Sequence, residues 1–131
     1  MSFADIVTIV EEYLETNWQK TPIRFANTQQ DHAIPYIECY VKPGEIESLE
    51  IKGVGSRVGV IIINIFTEIN VGVLQGADFA GELEELFWHK DLGGVVCDGD
   101  ILPYSRDLGI ERDAVAYQHQ VVIPFYVITE V

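Results

Sequence analysis

Positive charge is in short supply. Eight lysines and arginines stand against 21 aspartates and glutamates, for a net charge of −13. The cations Lys20, Arg24, Lys42, Lys52, Arg57, Lys90, Arg106 and Arg112 are scattered along the chain. Attachment to a phosphate backbone needs several cations on one face, so stable binding to nucleic acid or to an anionic membrane is not expected. Cysteine is also scarce. Cys39 and Cys97 lie in strand-like apolar segments, with no CxxC and no Cys/His cluster. They read as buried free thiols in a reducing compartment, not as a disulfide or a metal pair. Long hydrophobic runs are missing as well. The longest purely apolar run, Val60-Ile61-Ile62-Ile63, is far short of the ~20 residues of a membrane-spanning helix. Met1-Ser2-Phe3-Ala4-Asp5 puts no basic stretch ahead of an apolar one, so no signal peptide is expected.

Motifs that carry chemistry are equally sparse. The three histidines, His32, His89 and His119, occur in separate contexts, and Ser56 lies in no GxSxG elbow. Gly53-Val54-Gly55 neither leads into a helix nor precedes a GK[ST], so it is no phosphate loop. Asp98-Gly99-Asp100 lacks the other ligands of a calcium loop. The expectation is a protein without catalytic residues, cofactor or metal.

What is present is a well-patterned single domain over residues 1–131. Ser2 is a candidate helix N-cap, with Asp5 completing a capping box. Phe3, Ile6, Val7, Val10 and Leu14 recur at helical spacing, and the predicted helix ends near Trp18. A short strand is expected at Ile23–Ala26 and another at Tyr36–Lys42, followed by a turn at Pro43-Gly44 and an irregular third strand over Glu45–Lys52. Arg57–Thr67 is the strongest strand, with Val58, Val60, Ile62 and Phe66 on one face and Ile61, Ile63 and Ile65 on the other. Leu74, Ala77, Ala80, Leu83, Leu86 and Phe87 predict a second amphipathic helix whose Glu82, Glu84 and Glu85 face water. A strand is expected at Val95–Ile101, a loop at Leu102–Asp113, and a final strand from Ala114 to about Ile128. On that strand Tyr117, His119, Val121, Ile123, Phe125 and Val127 share a face, and Pro124 predicts a sheet edge or a bulge.

The fold class is therefore α+β, a mainly antiparallel sheet, curved or partly two-layered, with two amphipathic helices on one face. Two helices cover only one face, yet the strands at 57–67 and 121–128 are apolar on both. Either Ile61, Ile63 and Ile65 or their opposite set must find cover elsewhere, by curling of the sheet or from another chain.

The order of motifs is similar to that of one family. The N-terminal amphipathic helix leads to Thr21-Pro22-Ile23-Arg24-Phe25-Ala26-Asn27 and then Pro35-Tyr36-Ile37. A glycine-rich segment precedes Val58-Gly59-Val60-Ile61-Ile62-Ile63-Asn64-Ile65-Phe66-Thr67, an A-x-x-A-x-x-L-x-x-L-F helix runs from Ala77 to Phe87, and Gln120-Val121-Val122-Ile123-Pro124-Phe125 closes the series. Across nearly its whole length the chain resembles the tail terminator-like (tail completion) proteins of long-tailed bacteriophages.

That resemblance implies a structural virion protein of the tail, assembled in the host cytoplasm. It would close with copies of itself into a ring, usually a hexamer, on the tail-tube protein. The ring would stop tube polymerisation and meet a head–neck connector protein, and DNA would pass only transiently through the bore. An acidic bore would let DNA slide without adhering. Candidate subunit or tube contacts are Lys52 and Arg57 in the segment from Gly44 to Arg57, together with Ile61, Ile63, Ile65 and Tyr126; the loop at 102–113 is a second candidate segment. Two other readings stand beside it: another virion part, either a head–tail connector or a tail-tube subunit, and a ligand-binding or enzymatic α+β domain using Tyr36, Tyr40 or His119.

Overall fold

The computed structural model describes residues 2–25, 33–48, 54–69, 73–97, 103–111 and 116–130. It is an α+β fold built from a five-stranded open sheet and two helices. In chain order the elements are α1 (Phe3–Asn17), β1 (Ile23–Phe25), β2 (Tyr36–Ser48), β3 (Val54–Thr67), α2 (Leu74–Phe87), β4 (Tyr104–Glu111) and β5 (Ala116–Glu130). The strand order is β1-β2-β3-β5-β4, with β1 parallel to β2 and the other pairs antiparallel.

The capping box that opens α1 is complete. Ser2 Oγ accepts from the Asp5 amide, and the Asp5 carboxylate accepts from the Ser2 amide at 2.9 Å. Ile6, Val10 and Leu14 form the buried stripe of α1. In α2 the buried stripe is Gly76, Ala80, Leu83 and Phe87. The sequence pattern placed Leu74 and Ala77 on that stripe, but Leu74 is 70% exposed and Ala77 faces water. The helix is turned so that Gly76, one of its two glycines, faces the sheet where His119 rises from β5.

A single core joins both helices to one face of the sheet. Ile61, Ile63 and Ile65 of β3 pack there with Val121, Ile123 and Phe125 of β5 and with Leu83 and Phe87 of α2. Burying a side chain of this kind contributes about 1.5–3 kcal/mol. Trp18 closes the end of α1. It is buried, donates from Nε1 to Thr21 Oγ1 at 2.9 Å and meets Phe79 edge-on at 5.6 Å. Tyr13 Oη donates to the Leu86 carbonyl in the last turn of α2, tying the two helices together.

Three local expectations are corrected. Pro43-Gly44 is not a turn: β2 runs through it to Ser48, with a register shift between Pro43 and Ile46. A bulge absorbs a proline and a glycine that a regular ladder would not. Glu45–Ser48 therefore continues β2 instead of starting a third strand. The expected loop at 102–113 holds edge strand β4, which pairs with β5. Its bulge between Asp107 and Gly109 is stabilised by Asp107 Oδ1 accepting from the Gly109 amide at 2.8 Å, with Gly109 at φ +77°. That left-handed backbone is one glycine adopts without steric cost, and it broke the alternation that would have marked a strand. Of the expected 95–101 strand, the described part forms two isolated bridges, Val96 with Asp91 and Val96 with Tyr126, the latter exchanging both backbone hydrogen bonds.

Pro124 lies between the pairings Tyr104↔Val122 and Val96↔Tyr126. Backbone groups two residues apart point the same way along a strand. Its missing N–H therefore faces the β4 side, and pairing with β3 is unaffected.

Candidate functional site

Among the described residues both helices pack on one face of the sheet and neither covers the other, and strand register determines what that other face displays. Because side chains alternate, the partners of the core residues' neighbours lie opposite the helices. Arg24 pairs with Glu38, Glu38 with Asn64, Asn64 with Gln120, and Gln120 with Arg106. One polar residue from each of the five strands thus forms a row straight across the face.

From Arg106 to Glu38 the row is hydrogen-bonded, and these bonds all run toward the carboxylate. Arg106 donates from Nε to Gln120 Oε1 at 2.8 Å, with a second bond from its terminal nitrogen. Gln120 Nε2 donates to Asn64 Oδ1 at 3.0 Å, and Asn64 Nδ2 donates to Glu38 Oε1 at 3.4 Å. From the other side Tyr40 Oη donates to Glu38 Oε1, and the Arg24 guanidinium lies 3.6 Å from Glu38 Oε2. Glu38 is only 9% exposed. A carboxylate so placed is costly unless paired and hydrogen-bonded, and this row satisfies it. Burial, with the hydrogen bond to Glu38 behind it, pushes the Tyr40 phenol up to about 12.

Beside the polar row runs an apolar one of Tyr40, Ile62, Val122 and Tyr104. Tyr104 is 47% exposed, Tyr40 and Ile62 are half-buried, and Val122 is buried. On the far side of the polar row Tyr36 stacks on Phe66 at 4.9 Å. Lys42 is exposed on the same face as the polar row, opposite Val60. On edge strand β4, Leu108 in the bulge is 44% exposed, while the exposed Ile110 pairs with Tyr117 and so lies on the opposite face. This surface mixes oriented hydrogen-bonding groups, cations and apolar side chains, a composition suited to holding another protein.

The contact residues expected from the sequence separate on this frame. Ile61, Ile63 and Ile65 are not surface residues: all three are fully buried beneath the helices. Their register partners on β5, Ile123, Val121 and His119, point the same way, so this is the face that the helices needed to cover. Of the alternate set, Val58, Val60 and Ile62 are half-exposed, whereas Phe66 is buried against Tyr36. Tyr126 is half-buried next to the Val96 bridge. The Arg57 backbone pairs with Ile46 and Val127 inside β3. Lys52 and His32 lie outside the described residues.

Tyr36 and Tyr40 sit on the uncovered face, whereas His119 is buried on the helix face against Gly76. The sheet separates them, so they do not line one pocket. Among the described residues no three His, Cys, Asp or Glu side chains converge as a metal site, and no helix is long and apolar enough to cross a membrane.

A solved structure matches this fold over 100% of the present chain and 98% of its own, with a TM-score of 0.63 and 22% sequence identity. At that identity the likeness establishes the fold alone. No protein-family model matches the chain, and no curated protein does.

Sequence reasoning missed the polar row. Asn64 and Gln120 are 56 residues apart. The only signal available was a polar residue at one alternate position in each of two otherwise apolar strands, Asn64 in Val58–Phe66 and Gln120 beside Val121–Ile123.

Proposed function

We propose that this chain is a structural virion assembly protein of the tail terminator-like kind. It caps the phage tail tube as a ring of identical copies, stops tube polymerisation and joins the tube to the head–neck complex. The observation that carries the reading is the uncovered sheet face, where a hydrogen-bonded polar row lies beside the apolar row Tyr40–Ile62–Val122–Tyr104. The polar row stabilises the sheet itself, and the half-exposed apolar side chains beside it gain from the burial that an assembly supplies. The order of motifs across the chain, similar to that of tail completion proteins, supplies the particular assembly. The work is done by shape and surface chemistry.

The test mixes the purified chain with tail tubes and follows it by native mass measurement and electron microscopy. The expected result is a closed ring at tube ends and an arrest of tube growth. Open stacks would instead indicate a tube subunit, and a chain that neither closes into rings nor binds tube ends would sink the proposal.

A further inference from the structure

On the helix side of the sheet the helix layer stops one strand short. α1 packs on β2, and α2 packs on β3 and β5. No residue of β4 enters the core beneath them. Register turns Ser105, Asp107 and Ile110 to that side, as the partners of Val121, His119 and Tyr117, and all three are exposed. Ile110 is 57% exposed.

The flank of α2 beside this bare strip is open as well. Its other flank, with Phe79, Glu82 and Leu86, meets Trp18, Lys20 and Tyr13 in and just after α1. Helical spacing puts Val73, Ala77, Glu84 and Trp88 on the side away from α1, with Gly81 at its outer border. Val73 is 50% and Trp88 43% exposed, and a methyl on Gly81 would meet nothing within 4 Å. Pro103, just ahead of β4, closes a groove of about 310 Å³ against Gly81, Glu84, Glu85 and Trp88. Helix flank and strand strip together make a trough with exposed apolar side chains on both walls.

We infer that this trough is the berth of an amphipathic helix from a different protein, one whose apolar stripe is flanked by lysine or arginine. A helix there would continue the layer begun by α1 and α2 and would cover Val73, Trp88 and Ile110. Packed helices lie about 8–10 Å apart, close to two strand spacings, so a neighbour of α2 sits at the β4 edge. Charge selects the occupant. Glu84, Glu85 and Asp107 border the trough, and no described lysine or arginine does. Arg106 lies on the other sheet face with Gln120, Lys20 is bound to Glu82, and Lys90 lines the α1 flank with Tyr13 and Asn17. The chain's own helices do not fit. α1 and α2 carry four carboxylates each and no lysine or arginine, so berthing either one from a second copy would set carboxylates against carboxylates. The inference goes beyond the ring and does not depend on it.

A pair of synthetic peptides of about 18 residues, five helical turns, tests it on the full chain. One carries leucines at helical spacing flanked by lysines, and the other has glutamates in place of the lysines. Binding is followed by the emission of Trp88, taken as the difference from Trp88→Phe. The lysine-flanked peptide should move that emission to shorter wavelength and bind about tenfold or more tightly than its counterpart. Gly81→Leu, which has room for its side chain, should weaken this binding about tenfold by filling the trough. Ile110→Lys, an exposed change on the opposite wall, should weaken it likewise, and Glu84→Lys should shrink or reverse the preference between the peptides. Equal binding of both peptides, no binding, or binding unaffected by the folded Gly81→Leu and Ile110→Lys variants would overturn the inference. So would a Trp88 shift in the concentrated chain alone that Gly81→Leu abolishes, because the occupant would then be a second copy.

Discussion

A methyl group on Gly76 would lie 2.2 Å from Nδ1 of His119, so α2 seats on β5 only because this helical position has no side chain. His119 is 5% exposed and fills the space that a larger residue at 76 would need. Glycine to alanine in a helix ordinarily stabilises by about 1 kcal/mol. Here the sign should reverse. Gly76→Ala is expected to lose about 1–3 kcal/mol in denaturant unfolding, the usual cost of overpacking. In the background of His119→Ala the same substitution should be neutral or stabilising, and an equal loss in both backgrounds would refute the steric account.

The polar row predicts energetic coupling between residues far apart in sequence. Asn64→Ala and Gln120→Ala should each cost about 0.5–1.5 kcal/mol, the net worth of an intramolecular hydrogen bond. Because each amide orients the next, the double variant should lose less than the sum of the two. Glu38→Ala should cost more than either, about 1–3 kcal/mol, since it leaves Tyr40 Oη and Asn64 Nδ2 without their acceptor. Urea titrations of the parent, the two single variants and the double variant decide this, and strict additivity would mean that the Asn64–Gln120 hydrogen bond contributes nothing.

Tyr40 supplies an alkaline signature. Its phenol is raised from 10.0 to about 12, by burial first and by the Glu38 hydrogen bond second. A group whose folded pKa is raised contributes stability that is complete below its unfolded value and disappears as pH rises through the folded one. Stability should therefore decline between about pH 10 and 12, and Tyr40→Phe should flatten that decline. Ultraviolet titration should also show the Tyr40 phenol moving part of the way back toward 10.0 in Glu38→Gln.

Asp5 acts at the other end of the scale. The Ser2 backbone hydrogen bond, then the Ser2 side chain, lowers its carboxyl below the ordinary 3.8. A lowered folded pKa contributes stability above the unfolded value that is lost as pH falls through the folded one. Asp5→Asn should thus be less stable than the parent at neutral pH and should converge with it in acid. Thermal melts from pH 7 to below 3.8 read this directly, and a constant difference across the range would rule out the charged capping box as its source.

Much of the fold was legible in the sequence. Helical spacing from Ile6 to Leu14, with Ser2 and Asp5 ahead of it, is enough to place α1 and its cap. Alternation along Arg57–Thr67 and through residues 117–127 defines the two faces of β3 and β5, because side chains in a strand alternate whatever the partner. The scarcity of cations and the α+β class also follow from residue types and their order. Only the tertiary structure decided which face of β3 the helices cover: both faces are rich in apolar residues, Asn64 being the one polar interruption, and the choice depends on where α2 docks. It also decided that 104–111 is an edge strand, since β5 provides its ladder and the Gly109 bulge hides its period. The row from Arg24 to Arg106 exists only through register, which aligns residues from five strands by hydrogen bonds that no local pattern encodes.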